Sequence, residues 1–224
     1  VDGYEHGAGT FTEANQRSKY RGEFQRGARH GHGVQIWETK TYDGQWKNNR
    51  VHGRGELSWR VTGALYKGLF ENGGYHGHGC FQSGDGKEGY IGQWKEGAKH
   101  GVGKQYWRDG RVYEGSFERN NPHGFGCMAF PSGSLYTGNW KHGMRSGQGI
   151  EIEAGGNLLF CGLWHENVPQ KANTTLLQQI ADDMSIPSQQ YEIRKDTLDI
   201  KRSSSSGDSG FRTGHDAESI FWDY

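Results

Sequence analysis

The chain has 224 residues with 26 basic and 26 acidic side chains, so its formal net charge is zero at neutral pH. Residues 168–224 contain six Lys or Arg and nine Asp or Glu, a net of −3, which leaves +3 for the rest. Neither value gives the strongly basic face that nucleic-acid binding requires. Only 32% of the residues are hydrophobic, whereas 38 are glycine and 13% are aromatic. We therefore expect aromatic stacking, not an aliphatic core, to stabilise the fold.

The first element is a partial repeat, His6-Gly7-Ala8-Gly9, and six complete copies of one pattern follow it. In each copy an aromatic residue, a glycine and a second aromatic residue stand at i, i+2 and i+4, and a short turn leads into His-Gly-x-Gly, or into Ser-Gly-x-Gly in the sixth copy. A degenerate seventh copy reads Phe160, Gly162, Trp164. A repeat period of 22 to 24 residues predicts a repeat protein. The copies open at Tyr20, Tyr42, Tyr66, Tyr90, Tyr113 and Tyr136.

Each copy predicts one β-hairpin. The alternation of aromatic or glycine positions with polar ones is typical of a strand with one apolar face. The turns are rich in Gly and Asn, which tolerate the positive φ of tight hairpins. A second strand follows the turn, as in Val34-Gln35-Ile36-Trp37. One hairpin cannot bury its own apolar face, so we expect the hairpins to pair side by side.

The pattern resembles the MORN repeat (membrane occupation and recognition nexus), whose spelling is close to Y-x-G-x-W-x-x-G-x-x-H-G-x-G. The resemblance covers about three quarters of the chain and implies an all-β fold: an elongated, single-layer, twisted antiparallel sheet of tandem hairpins with a groove along one face. Asn49 and Asn120 replace the turn glycine, Ser146 replaces the sixth His, and Cys161 intrudes into the seventh copy. That copy also lacks its His-Gly-x-Gly, so we expect the array to occupy residues 1–167.

A stripe of aromatic residues at one position of the second strand is the predicted binding surface for a partner protein. Aromatic anchors dominate many peptide interfaces, and the bound segment is expected to be extended or helical. The interpretation also includes aromatic residues of the first strand. An equally weighted alternative is that all of them only form the stacking ladder of the sheet. The predicted partner-binding residues are Trp37, Trp59, Trp107, Phe130, Tyr42, Trp46, Tyr90 and Trp94.

The sequence predicts no catalytic site, no metal site and no cofactor. Six of the eleven histidines recur at one repeat position, which favours a structural role for them: His6, His30, His52, His76, His100 and His123. The close pairs His30/His32 and His76/His78 lack a third ligand. The Gly-x-Gly elements do not open helices and are not followed by Lys-Ser/Thr, so we reject nucleotide binding. Three cysteines with no metal-type spacing predict reduced thiols in an intracellular protein: Cys80, Cys127 and Cys161.

Residues 168–188 are predicted to contain a capping helix. Thr175 and Gln178 can form a capping box in a helix over Asn173–Ser185, and its small apolar stripe must dock on something. We expect it to cover the open edge of the last hairpin. Docking on a partner chain is the alternative.

Residues 189–224 are predicted to form a flexible tail, because Ser203–Gly210 has the composition of a linker. The aromatic cluster beyond this linker is typical of a docking peptide, with the groove of the sheet, a neighbouring protomer or an outside protein as its receptor. Incidental aromatics in a disordered end, or a partner sequence fused to the array, are the alternatives. The cluster contains Ile220, Phe221, Trp222 and Tyr224.

The resulting hypothesis is a non-catalytic scaffold for protein–protein interaction. The resemblance implies work at cytoskeletal, ciliary or membrane-associated assemblies, hence a cytoplasmic localisation. One alternative is a peripheral module for anionic lipids such as phosphoinositides, although a near-neutral array gives little attraction to an anionic leaflet. Another is the regulatory repeat region of a larger enzyme. Unpaired terminal strands also predict a homodimer.

Overall fold

The computed structural model describes residues 5–13 and 17–173. All regular structure in these ranges is β, and fifteen strands form one open sheet in which each strand pairs antiparallel with its neighbours in chain order. The predicted single antiparallel sheet of tandem hairpins is confirmed. The strands are β1 (Gly7–Thr12), β2 (Ser18–Gln25), β3 (Ala28–Trp37), β4 (Lys40–Lys47), β5 (Arg50–Trp59), β6 (Leu65–Glu71), β7 (Gly74–Gln82), β8 (Gly89–Lys95), β9 (Ala98–Tyr106), β10 (Val112–Glu118), β11 (Asn121–Ala129), β12 (Leu135–Lys141), β13 (Met144–Ile152), β14 (Leu158–His165) and β15 (Val168–Ala172).

The tight turn of each hairpin has two residues, both with positive φ. Between β2 and β3 these are Arg26 (φ 50°) and Gly27 (φ 76°), and the turns before β5, β7, β9, β11, β13 and β15 repeat the arrangement. Paired positive φ values are the geometry of type I′ turns, which match the twist of the strands. This geometry explains why Gly or Asn stands at the second turn position of every copy.

A ladder of aromatic side chains on one face of the sheet forms the core. Tyr42 illustrates its geometry: the edge-to-face partners of its ring are Trp46 of its own strand, at 5.3 Å between centroids, and Phe70 of the next hairpin, at 5.1 Å. Its hydroxyl donates to the carbonyl oxygen of Gln45 at 2.8 Å. We call this face the aromatic face. Its fully buried members are Tyr20, Tyr42, Tyr66, Tyr90, Tyr113 and Tyr136.

Glycine is required at the two positions of His-Gly-x-Gly for different structural reasons. Gly53 has a φ of +60°, a conformation that side chains with a Cβ rarely adopt. Gly55 lies under the ring of Tyr42, and a Cβ there would stand 2.4 Å from the tyrosine Oη. The first glycine therefore shapes the backbone, and the second makes room for the ladder.

Indole nitrogens connect successive hairpins. Trp46 Nε1 donates to the carbonyl oxygen of Gly33 in the preceding hairpin at 2.9 Å. Trp94, Trp140 and Trp164 make the same bond to the equivalent glycine. A buried indole N–H needs such a partner, so the signature tryptophan fixes one repeat against the next.

The sheet extends beyond the predicted array boundary at residue 167. Glu166 (φ 48°) and Asn167 (φ 70°) form a turn like the others, and it pairs β15 with β14 although the chain lacks His-Gly-x-Gly there. The sheet continues here without the motif, because backbone pairing needs only the turn and a free strand edge. Of the helix predicted for Asn173–Ser185, all but the first residue lies outside the described residues. The predicted tail with Ile220, Phe221, Trp222 and Tyr224 also lies outside them. The described residues include no helical segment with the length and hydropathy of a transmembrane span.

Candidate functional site

The aromatic face of the early repeats contains a cavity of about 540 Å³, which we call the groove. Tyr42, Trp46 and Phe70 of the ladder form its floor. Half-buried side chains that pack against this floor form its walls, and among them are Trp37, Val51, Leu57, Trp59 and Tyr75. The groove is therefore apolar at its base and open to solvent above.

The four aromatic residues predicted from the second strand share one environment. Trp37 and Trp59 end β3 and β5, whereas Trp107 and Phe130 directly follow β9 and β11. All four are half-buried and pack against the ladder. Trp37 and Trp59 line the groove, and the other two occupy the same position farther along the aromatic face.

The four aromatic residues predicted from the first strand are part of the ladder itself. Tyr42 and Tyr90 are each 1% exposed, and Trp46 and Trp94 are 4% and 7% exposed. Tyr42 and Trp46 supply the floor of the groove, so a ligand meets little of their surface. The sequence did not distinguish buried from half-buried aromatics, because both types recur with the same period.

A third set of side chains, which sequence reasoning missed, covers the ladder. Each hairpin contributes a set of three residues. The first stands two positions before the first glycine of Gly-x-Gly, and the second stands six positions after the first. The third is the second turn residue of the following hairpin. We call each such trio a cell. The cells are cell 1 (Arg29, Gln35, Asn49), cell 2 (Val51, Leu57, Gly73), cell 3 (Tyr75, Phe81, Gly97), cell 4 (Lys99, Gln105, Asn120), cell 5 (Pro122, Met128, Gly143) and cell 6 (Arg145, Glu151, Asn167).

Cell 1 is a polar cell built around Arg29. The Arg29 Nη1 donates to Gln35 Oε1 at 2.6 Å, and the backbone N–H of Arg29 donates to Asn49 Oδ1 at 2.9 Å. The guanidinium lies over the ring of Trp46, with 4.5 Å between Cζ and the ring centroid. A cation over an indole face is attracted by its quadrupole, so the charge is held against the ladder.

Cells 4 and 6 repeat this arrangement with different partners. In cell 4, Lys99 Nζ donates to Gln105 Oε1 at 2.6 Å, and the Lys99 N–H donates to Asn120 Oδ1. In cell 6, Arg145 Nη1 binds Glu151 Oε1 at 2.9 Å, and the guanidinium stacks on a tryptophan ring at 4.1 Å. The cation of cell 6 therefore has a carboxylate partner, whereas those of cells 1 and 4 bind neutral amides.

Burial affects the two cations that bind amides. Desolvation lowers the pKa of Arg29 from its usual value, although Tyr20 and Glu13 oppose the change. Desolvation likewise lowers the pKa of Lys99, with Glu88 acting in the opposite direction. Both groups stay protonated near neutral pH, because their ordinary pKa values lie far above it. They are partly dehydrated positive charges on the aromatic face.

Cells 2, 3 and 5 are apolar, and their turn residue is always glycine. The three cells with a cation all have asparagine there instead. Asn49 and Asn120, which break the family spelling, are therefore hydrogen-bond acceptors for the preceding hairpin. This correlation between the cation and the asparagine is visible in the sequence when the copies are aligned on their glycines and the three cell positions are compared. Sequence reasoning missed it.

The described residues contain no group of three or more His, Cys, Asp or Glu side chains that could hold a metal ion. His76 and His123 instead lie 3.1 and 3.3 Å from carboxylates of their own hairpins, Glu71 and Glu118. Burial raises the pKa of the Cys80 thiol, which disfavours the reactive thiolate.

Comparison with known families identifies the repeat. The MORN repeat family matches residues 20–41, 42–61, 66–88, 90–110, 113–135 and 136–157. Each match begins at the opening aromatic residue of a hairpin. No curated protein matches the chain as a relative. Because these six ranges cover more than half of its residues, the chain belongs to the MORN repeat family.

Proposed function

We propose that the protein is a non-catalytic scaffold whose groove binds an extended or helical segment of a partner protein. MORN repeats are known in protein-interaction and membrane-binding proteins, and the family is generally non-catalytic. The observation that supports the proposal most directly is the groove itself, with half-buried Trp37 and Trp59 above a buried aromatic floor. Aromatic anchors in a desolvated pocket supply most of the affinity of peptide interfaces.

The rigid floor supports the half-buried side chains that a ligand would contact. Tyr42 is fixed by its ring contacts and by its hydroxyl bond to Gln45, and Trp46 is fixed by its bond to Gly33. A preordered surface loses little conformational entropy when a ligand binds. Most of the burial energy of an incoming apolar side chain is therefore available for affinity.

The proposal is tested by selecting random peptides on the full chain from a display library. The peptide of residues 203–224 is included, since Ile220, Phe221, Trp222 and Tyr224 supply apolar anchors. The selection is repeated with the Trp37→Ala/Trp59→Ala variant, and with Phe125→Ala as a control. Phe125 pairs with Asn139 outside the groove and is 62% exposed, so its loss removes an aromatic ring from the opposite face.

The expected result is a family of enriched peptides that bind the control and fail to bind the double variant. Failure to enrich any peptide, or equal binding to both variants, contradicts the proposal. Sedimentation with anionic vesicles is the second arm. Strong, salt-sensitive lipid binding that survives the double substitution favours the peripheral-membrane alternative.

The proposal includes an intracellular, cytoplasmic setting at cytoskeletal or ciliary assemblies, and association of two copies. The three cysteines are free thiols, which supports a reducing compartment. The terminal strands β1 and β15 each have one partner in the described sheet, which supports edge pairing between copies. Fractionation of cells and analytical ultracentrifugation test these two points. The regulatory region of a larger enzyme remains the alternative to a free-standing scaffold.

A further inference from the structure

We infer that the aromatic face between cells 1 and 4 selects one class of ligand: a segment of a partner protein in which carboxylates flank an apolar run on both sides. This inference rests on the proposed function, because it specifies the chemistry of the segment that the groove binds. It follows from the order of the cells, from the pairing of their charges and from their spacing.

The order of the first four cells is cation, apolar, apolar, cation. Arg29 opens the series, cells 2 and 3 supply Val51, Leu57, Tyr75 and Phe81, and Lys99 closes it. The four apolar side chains are half-buried and pack against the ladder. A ligand that follows the face along this series therefore meets a positive charge before and after an apolar stretch.

The side-chain acceptors that bind the two flanking charges are amides, although the carboxylates of Glu13 and Glu88 act on Arg29 and Lys99 from farther away. In the described ranges, the side-chain oxygens that bind Arg29 and Lys99 belong to Gln35 and Gln105, and neither cation forms an ion pair. A charged acceptor binds such a cation about twice as strongly as a neutral one. A carboxylate from a ligand therefore gains more here than at an exposed lysine, because a partly buried pair is also less screened by salt.

The lining of the groove has an excess of positive charge. Among the described residues that line it are Arg29, Lys40 and Arg50 and one carboxylate, that of Glu13. Lys40 lies over the ring of Trp37, with 5.0 Å between Nζ and the ring centroid. The groove is thus electrostatically complementary to an acidic segment, although the chain as a whole is neutral.

Cell 6 provides an internal comparison. Its cation, Arg145, is already paired with Glu151 at 2.9 Å, so a ligand carboxylate gains little there. The cation at this position is therefore neutralised by a carboxylate in cell 6, whereas the cations of cells 1 and 4 bind amides. Charge selection is expected only where the cation binds an amide.

The spacing sets the length of the ligand. Neighbouring strands lie about 4.8 Å apart, so one repeat of two strands advances about 9.6 Å, and cells 1 and 4 are about 29 Å apart. An extended chain covers this distance in about nine residues at ~3.3 Å per residue. We therefore expect acidic residues about nine positions apart, with apolar residues between them.

The test measures the binding of three labelled peptides of about 11 residues to the full chain by fluorescence anisotropy. They share an apolar centre of Leu, Ile, Phe and Trp and carry aspartates, serines or lysines at both ends. The aspartate peptide is expected to bind about 10-fold tighter than the serine peptide, and the lysine peptide to bind most weakly. The difference between the peptides is expected to shrink as salt is added.

Three variants locate the effect. Arg29→Gln and Lys99→Gln are each expected to weaken the aspartate peptide about 3-fold, because the two ends share the ~10-fold advantage, and to leave the serine peptide unchanged. Arg145→Gln, in cell 6, is the matched control and is expected to change neither. Circular dichroism and thermal unfolding establish that each variant is folded, and the peptide comparison on the unsubstituted chain needs no variant.

The outcomes separate this inference from the proposed function. If the aspartate and serine peptides bind equally well, the groove binds peptides but charge selection is wrong. If no peptide binds, both proposals fail. Residues 216–223 of this chain also place acidic residues on both sides of an apolar run. If the aspartate peptide binds only after Phe221→Ala/Trp222→Ala, the assignment of the groove to a partner segment is overturned.

Discussion

Substitution of Gly55 by alanine is expected to destabilise the sheet because the new methyl group has no room. An ideal Cβ at Gly55 stands 2.4 Å from Tyr42 Oη and 2.6 Å from two of its ring carbons. Such separations do not occur between non-bonded atoms, so the ring or the strand must move. Gly55 has no positive φ, and the predicted effect therefore comes from packing alone.

The magnitude follows from what Tyr42 loses when it moves. Overpacking a well-packed core costs about 1–3 kcal/mol. Displacement of the ring also breaks the hydroxyl bond to Gln45, which contributes about 1 kcal/mol. We expect Gly55→Ala to lower the free energy of unfolding by about 2–4 kcal/mol. Urea unfolding followed by tryptophan fluorescence measures it, and the slope of the transition shows whether the sheet still unfolds as one unit.

Gly155→Ala is the matched control. A Cβ there has its nearest neighbours at 3.7 Å (Asn157 Nδ2) and 3.8 Å (Glu153 Oε1), which is ordinary contact. We expect a change within about 0.5 kcal/mol, as for most surface substitutions. Equal unfolding midpoints for Gly55→Ala and Gly155→Ala would refute the packing argument. In the Tyr42→Leu variant the clashing hydroxyl is gone, so Gly55→Ala should cost less stability there than in the unsubstituted chain. The loss in free energy of unfolding of the double variant should therefore be smaller than the sum of the two single losses.

Three further predictions concern the turns, the indole bonds and pH. Asn49→Ala is expected to cost about 1–2 kcal/mol, because it removes the acceptor of the Arg29 N–H and leaves alanine at a φ of 65°; Asn49→Gly, which relieves the backbone, should recover part of this in urea unfolding. Trp46→Phe should cost about 1 kcal/mol in thermal unfolding, since the carbonyl of Gly33 loses its donor. Burial raises the pKa of Tyr136 to about 12, so the unfolded chain releases this proton at a lower pH than the folded one. The contribution of Tyr136 to the free energy of unfolding is therefore fully present below pH ~10. It decreases as the pH rises towards 12, by up to ~1.4 kcal/mol per pH unit. Urea midpoints measured over that range check the sign, and Tyr136→Phe should weaken the dependence.

The sequence specified the hairpin well because its determinants are local. The i, i+2, i+4 aromatic pattern and the Gly or Asn turns each depend on residues within one copy, and the structure places strands and type I′ turns there. The array boundary at residue 167 was inferred from an absent motif, and the sheet continues past that residue through β15. The turn at Asn167 closes one more hairpin without that motif.

The groove was harder to predict because it depends on how deeply each aromatic side chain is buried. A repeating sequence pattern does not encode the degree of burial. Trp46 and Trp59 are both aromatic and both recur in register, yet one is buried in the floor and the other stands on it. Which of them retains exposed surface is decided by contacts between hairpins. Those contacts depend on how neighbouring hairpins pair in the sheet, and the sequence of one copy alone does not specify that pairing.

If the protein binds a partner segment as proposed, ligand discrimination comes from the cells, because the polar atoms of the ladder are already bound within the sheet. The hydroxyl of Tyr42 is bound to Gln45 O, the indole N–H of Trp46 is bound to Gly33 O, and the glycine backbone lies under the rings. These positions recur in the copies of this array, so they do not distinguish one part of the sheet from another. The cell positions are free to vary without disturbing the ladder, as the change from arginine to valine between cells 1 and 2 shows. Differences in binding between arrays with the same ladder should therefore map to cell residues, and exchange of a whole cell should transfer specificity where exchange of a ladder residue only weakens the fold.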